Sequence, residues 1–330
     1  MKTSLLFTAL AAAMTLGIAS TSAQTTKTQS KPKPSTWPGV VQDIRYPSAA
    51  DNTDQPAMYY DSGSKNKRPL LVALHTWSGN YKQTGSVPYA KWCIEHDWIL
   101  IHPDFRGPNR RPEAMGSELA VRDILSAVEY ARDNAAVDES RIYLVGVSGG
   151  GYASLLMAGR APEIWAGVSA WVPINDIKAW HEECTVAKRK YAKDIENAGG
   201  GAPTPGSKAE EECRKRSAAT YLPHARKVRL DINAGIHDGH TGSVPVSHTL
   251  NAFNIVAGKA DRLTDKQVAY FTAKRKVPRA LRDETETDDA YGKKNVLFRR
   301  KSGDARVTIF EGGHEIVHKA ALEWLADQRK

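Results

Sequence analysis

In this 330-residue chain the stretch best able to do chemistry is Gly146-Val147-Ser148-Gly149-Gly150. A serine hydroxyl is a weak nucleophile until a neighbouring base takes its proton. Small residues on either side permit a turn tight enough to hold that hydroxyl clear of the backbone. The base expected is His314, which follows Gly312-Gly313 and the apolar run Val307 to Phe310. His318 is a fallback that helical placement would turn away. A carboxylate must orient the base, and Asp238 leaves the apolar run Val228 to Ala234 at the required point in the chain order. Asp231, inside that run, and Asp176, after the preceding run, are its rivals. A tetrahedral oxyanion needs backbone donors, expected from Gly149 and from Trp77 in the turn His75-Thr76-Trp77-Ser78-Gly79, where His75 is expected to be structural. Trp180, Trp171 and Tyr152 are expected at the substrate site, with the tryptophans able to stack on a sugar or an aromatic acyl group. For Trp171 an ordinary place in the core is an equal alternative.

Such groups meet only if the intervening chain brings them to one edge. Short apolar runs at Pro69 to Leu74, Trp98 to His102, Arg141 to Val147, Trp165 to Val172 and Lys227 to Ala234 read as buried strands of a parallel sheet. Glu118 to Asn134 has apolar residues at helical spacing, and a helix continues from the glycines after Ser148. Alternation of this kind predicts a mostly parallel, doubly wound α/β sheet. The helix after Ser148 would also turn its positive N-terminal end toward an oxyanion. Residues 176–226 break the rhythm and are too long for a simple connection, which predicts a lid insertion after the sixth strand.

Composition bounds the rest. Lys2, the apolar stretch Leu5 to Ala19 and Thr21-Ser22-Ala23 read as a secretory signal at 1–23, cleaved after Ala23. Residues 24–36 read as a disordered leader, and 37–330 as a single domain. The expected location is therefore secreted or periplasmic, with no membrane anchor. Lys2, Lys27, Lys31 and Lys33 supply four of the nine net positive charges, so the folded body is only mildly basic. No nucleic-acid motif is present, and nucleic acid is not expected as a partner. Cys93, Cys184 and Cys213 lack zinc-like spacing, which argues against a cysteine metal site, and acyl transfer by a serine, a histidine and an aspartate requires neither a metal nor an organic cofactor. Cys184 and Cys213 share the irregular segment and, in an oxidising compartment, are expected to pair, leaving Cys93 as a buried thiol.

Gly146 to Tyr152, His102-Pro103-Asp104-Phe105-Arg106-Gly107, Pro173-Ile174-Asn175-Asp176 and Val244-Pro245 together resemble the catalytic domain of the prolyl-oligopeptidase branch of the α/β-hydrolases, over Pro69 to about Asp327. In that family the triad acid stands about three residues before the Val-Pro pair; here Asp238 stands six before it, with Gly239 to Ser243 as the extra length. A second departure is Thr76, where the family commonly has glycine after the histidine. The peptidases of the branch carry an N-terminal propeller, for which there is no room between Trp37 and the first core strand. The resemblance therefore implies a stand-alone secreted esterase acting on polysaccharide-linked acetyl or feruloyl-type groups. Two alternatives stand beside it. One is an aminopeptidase or oligopeptidase, in which Glu182-Glu183 or Glu210-Glu211-Glu212 would hold a substrate ammonium; the other is a non-catalytic binding module on the same fold.

Overall fold

The computed structural model describes residues 36–284 and 286–330. The expected export signal at 1–23 and all but the last residue of the expected leader at 24–36 lie outside the described residues. Among those described, nine strands form one sheet: β1 (Gln42–Pro47), β2 (Asp54–Tyr60), β3 (Arg68–Leu74), β4 (Ile99–Pro103), β5 (Val137–Val147), β6 (Gly167–Trp171), β7 (Leu230–Gly235), β8 (Val296–Ser302) and β9 (Ala305–Phe310). Their order across the sheet is β1-β2-β4-β3-β5-β6-β7-β9-β8. From β4 to β9 neighbouring strands are parallel, while β1, β2 and β8 pair antiparallel at the two flanks.

All seven residues of β3 and all five of β6 are buried, as strands covered on both faces must be. Helices α1 (Val87–Glu95) and α10 (His318–Ala326) cover one face. On the other face lie α2 (Glu118–Asn134) and α3 (Gly149–Arg160). Ser117 caps α2 by accepting from the Ala120 N–H, with Glu118 in the first turn and Arg132 in the last, each matching the helix dipole. The antiparallel flanks escape a search for apolar runs because their apolar residues come in short stretches mixed with polar ones. β1 is mostly exposed, and β8 carries the exposed Lys301, a charge that discourages edge pairing.

Residues 176–226 are helical rather than irregular: α4 (Ile177–Val186), α5 (Tyr191–Gly199), α6 (Lys208–Arg216) and the single turn α7 (Ala218–Tyr221). Trp180, Ile195 and Cys213 bury completely in the core shared with α3, so the insertion is packed, not draped. Beyond β7 the chain forms α8 (Val246–Val256) and α9 (Asp265–Lys274), which pack on the α3 side of the sheet. The expected Cys184–Cys213 bridge is not formed. Both thiols are free and buried, each filling its own place in the apolar core, and burial pushes them up to about 12 and about 11, where the thiolate needed for oxidation is scarce. Cys93 is a buried free thiol on α1, as read. No helix of the described residues is long and apolar enough to cross a membrane.

Candidate active site

Ser148 sits between β5 and α3 with φ 59° and ψ −120°, a conformation unfavourable for a residue with a side chain. The surroundings enforce it. A Cβ on Gly150 would lie 2.3 Å from the Leu74 carbonyl oxygen, and one on Gly146 2.3 Å from the Gly150 carbonyl, so the strand and helix meet at a distance only glycine allows. The Ser148 N–H donates to the Trp171 carbonyl at 2.8 Å, pinning the turn to β6. Strain held this way is characteristic of a strand-to-helix nucleophile elbow.

His314 lies in the connection from β9 to α10, and Asp238 just beyond β7, a parallel neighbour of β9. Their side chains meet at the C-terminal edge of the sheet. Ser148 Oγ is 2.8 Å from His314 Nε2, and His314 Nδ1 is 2.8 Å from Asp238 Oδ2. Asp238 is 1% exposed, and its other oxygen accepts the Gly239 N–H at 2.8 Å and the Val244 N–H at 3.3 Å. A buried carboxylate anchored this way can take the Nδ1–H of His314 and leave Nε2 as the base. Glu315 secures the adjoining turn, accepting from Lys294 Nζ at 2.7 Å and the Gly313 N–H at 3.0 Å. Burial opposes ionisation of Glu315, but these donors outweigh it and hold the carboxyl below its usual range.

Both rival acids have structural partners instead. Asp231 is fully buried, accepting from Arg306 Nε at 2.6 Å and Ser169 Oγ at 2.8 Å, and ties β7 to its neighbours. Asp176 caps α4 through the Ala179 N–H at 3.0 Å.

The expected oxyanion donors are side by side: a Cβ on Gly149 would stand 2.3 Å from the Trp77 amide nitrogen. Gly149 opens α3, so its N–H has no partner within the helix. The turn carrying Trp77 is held from several directions. His75 is fully buried with its ring nitrogens 2.8 Å from the Thr76 carbonyl and 2.7 Å from the Asp104 carbonyl, stacked on Phe105. Thr76, which replaces the usual glycine, donates its N–H and hydroxyl to Gln83 Oε1 at 3.0 and 2.9 Å. The indole of Trp77 donates to Asp194 of α5 at 3.2 Å.

A cavity of about 760 Å³ opens over Ser148 and His314, walled by Trp77, Ser78, Gln83, Tyr191 and Ile316 among others. The substrate-contact expectation fails for three residues. Trp171 is fully buried on the α10 side, against Tyr291 and Phe310, because a strand between two helical layers exposes neither face. Trp180 is fully buried, its ring against Trp77 and Tyr191 and its N–H on the Ser243 carbonyl at 2.9 Å. Tyr152 is buried with its hydroxyl on the Arg216 carbonyl at 2.7 Å. Half-buried Tyr191 of α5 takes the place on the cavity wall expected for Trp180. His318, expected to turn away, lines the cavity from the start of α10, and burial pushes it down to about 4. Tyr191, Gln83 and Ser243 were missed, although the extra length from Gly239 to Ser243 marked that loop as unusual.

A mostly parallel doubly wound sheet with an elbow serine, then an aspartate, then a histidine along the chain is the α/β-hydrolase fold. Within it the chain belongs to the prolyl oligopeptidase family, whose sequence profile matches residues 91–274, more than half its length. Feruloyl esterase B of Thermothelomyces thermophilus is 29% identical over 107 residues, covering 29% of this chain and 36% of that protein. The match thus spans about a third of that relative. The uncomplexed acylaminoacyl peptidase of Pyrococcus horikoshii superposes with a TM-score of 0.51 at 17% identity, over 66% of this chain and 34% of that one. A thermostable esterase does so at 0.50 and 14% identity, over 88% of this chain and 63% of that one.

Proposed function

We propose that this protein is a serine hydrolase that cleaves carboxylic esters through an acyl-enzyme on Ser148. The observation that carries the reading is the unbroken line Ser148 Oγ, His314 Nε2, His314 Nδ1, Asp238 Oδ2, with both contacts at 2.8 Å. Ser148 attacks the ester carbonyl while His314 takes its proton; the N–H groups of Gly149 and Trp77 hold the oxyanion. His314 then protonates the leaving alcohol, and water, activated by the same nitrogen, releases the acid. The α3 N-terminus adds positive potential at the oxyanion.

The substrate class is a polysaccharide-linked ester of acetyl or feruloyl type, acted on outside the cytoplasm after export through residues 1–23. The similarity to a feruloyl esterase supports this, as does a cleft that mixes Tyr191 and Ile316 with the polar Ser78 and Gln83. The peptidase alternative draws less support, because the acidic residues it would use are engaged. Glu182 pairs with Lys178 at 2.9 Å, Glu183 with His248 at 2.9 Å, and Glu211 and Glu212 with arginines of their own helix at 3.0 Å.

The test is labelling with a fluorophosphonate, followed by rates on para-nitrophenyl esters, acetylated and feruloylated glycans, and aminoacyl-nitroanilides. Labelling at Ser148 and turnover of esters over anilides is expected. A folded protein that resists the label, or that cleaves only the anilides, overturns the reading.

A further inference from the structure

The loop from Gly239 to Ser243 is the extra length that separates Asp238 from the Val244-Pro245 pair, and it folds back onto the reacting groups. A Cβ on Gly242 would stand 2.1 Å from Asp238 Oδ1 and 2.4 Å from His314 Cβ, so the loop lies directly against the acid and the base. Its last residue places a second hydroxyl at the base: Ser243 Oγ is 3.4 Å from His314 Nε2, the same nitrogen that Ser148 Oγ approaches at 2.8 Å. Ser243 is held there by its own backbone, since its carbonyl accepts the indole N–H of Trp180 at 2.9 Å. Two neighbouring contacts fix the loop: Arg189 donates to the Gly239 carbonyl at 3.2 Å, and a His240 ring nitrogen meets the Thr272 carbonyl at 2.7 Å.

With its proton on Nδ1, facing Asp238, His314 has one lone pair at Nε2 and can accept one hydrogen there. In the free protein the nearer hydroxyl, Ser148, is placed to use it. Once Ser148 is acylated its oxygen carries no hydrogen, and the lone pair becomes available to water. A water at that place lies within reach of Ser243 Oγ as well. We propose that Ser243 is a catalytic residue of the second half-reaction, holding the hydrolytic water together with His314.

One hydrogen of the water is given to His314 Nε2 and the other donates to Ser243 Oγ, which leaves an oxygen lone pair aimed at the acyl carbon. The new bond joins water oxygen to acyl carbon and the bond to Ser148 Oγ breaks. The proton on His314 returns to Ser148, and the second hydrogen leaves with the carboxylic acid. Ser243 neither gains nor loses a proton.

This inference rests on the acyl-enzyme reading, and the two fail in distinguishable ways. Methanol, which has one O–H, can give a hydrogen to His314 but has none left for Ser243. The ratio of methyl ester to acid formed from one acyl-enzyme, at fixed methanol, therefore reads the preference for water whichever step limits the rate. Ser243→Ala keeps the carbonyl that binds Trp180, and its melting temperature should match the parent. In para-nitrophenyl acetate hydrolysis the variant should raise the methyl ester to acid ratio by about tenfold, the scale of one hydrogen bond made by the attacking water, with the fluorophosphonate labelling rate unchanged. Ser243→Thr, which retains a hydroxyl, should restore the parent ratio. An unchanged or lower ratio in Ser243→Ala overturns the role of Ser243 and leaves the acyl-enzyme intact. Failure of the parent to form any acyl-enzyme, shown by no mass increase at Ser148 on quenching para-nitrophenyl acetate turnover and no fluorophosphonate label, overturns both.

Discussion

At the scale of single residues, the assignment of the acid can be measured by comparing two aspartates. Asp238→Asn keeps the size but cannot accept the Nδ1–H of His314 in the same way, so the ring settles in the wrong tautomer. A loss of kcat on the order of 10⁴-fold is expected near neutral pH. Asp176→Asn should cost activity only a few-fold, because asparagine caps a helix about as well as aspartate and Asp176 is on the cap of α4. Rates at equal folded fraction decide it; the reverse order would move the acid to the end of β6. Ser148→Ala, by the same logic, should stay folded and lose on the order of 10³-fold or more in kcat, since triad members act as one unit. A tenth of parent activity surviving in that variant would contradict the nucleophile.

Elements matter here chiefly through the insertion. Beyond Tyr191 on the cavity wall, the segment carrying α4 and α5 makes three contacts with the site: Asp194 accepts from the Trp77 indole at 3.2 Å, Lys190 reaches Ser78 at 3.3 Å, and Trp180 donates to the Ser243 carbonyl. One inserted segment thus grips both the oxyanion turn and the loop after the acid. A donor loosened by a fraction of an ångström stabilises the oxyanion less, and full loss of such a donor costs about 10²–10³-fold. Asp194→Leu removes the acceptor at similar size and should lower kcat roughly tenfold with KM little changed. Asp194→Asn still accepts from an indole and should recover most of the rate. If asparagine proves as damaging as leucine, the carboxylate acts through its charge and not as an anchor for Trp77.

For the molecule as a whole, two buried imidazoles and a half-buried one couple stability to pH. Burial pushes His102 down to about 3 and His318 down to about 4, and it lowers His75 in the same direction. Unfolding returns them to values near 6.5. Between the folded and unfolded values the unfolded chain binds more protons. The stability these groups contribute is therefore complete above pH 6.5 and lost as pH falls from there toward 3–4, at up to about 1.4 kcal/mol per pH unit per group. Asp138, which Ser140 and Arg141 hold down to about 2 against burial, adds loss only below the usual carboxylate range. Calorimetric melting should show Tm declining already between pH 6.5 and 5, before carboxylates titrate. A flat Tm across that interval would mean that the imidazoles charge inside the fold.

Local pattern was enough to find the strand, the glycines and the helix around Ser148, because a turn that tight can be built from few residues and those stand next to one another in the chain. It also located His314 and Asp238, each set just past an apolar run. The same short-range signal misplaced Trp171, Trp180 and Tyr152, since a tryptophan beside a strand end looks alike whether its ring meets solvent or a second helical layer. The outer antiparallel strands β1, β2 and β8 carry apolar runs of at most a few residues mixed with polar ones, and became visible only once paired. Asp176 was separated from Asp238 by a local partner, the Ala179 N–H that it caps at the start of α4, and Asp231 by one far along the chain, Arg306. Ser243 belongs to the same class: its neighbour His314 is 71 residues away, and only the pairing of β7 with β9 brings that hydroxyl to the base.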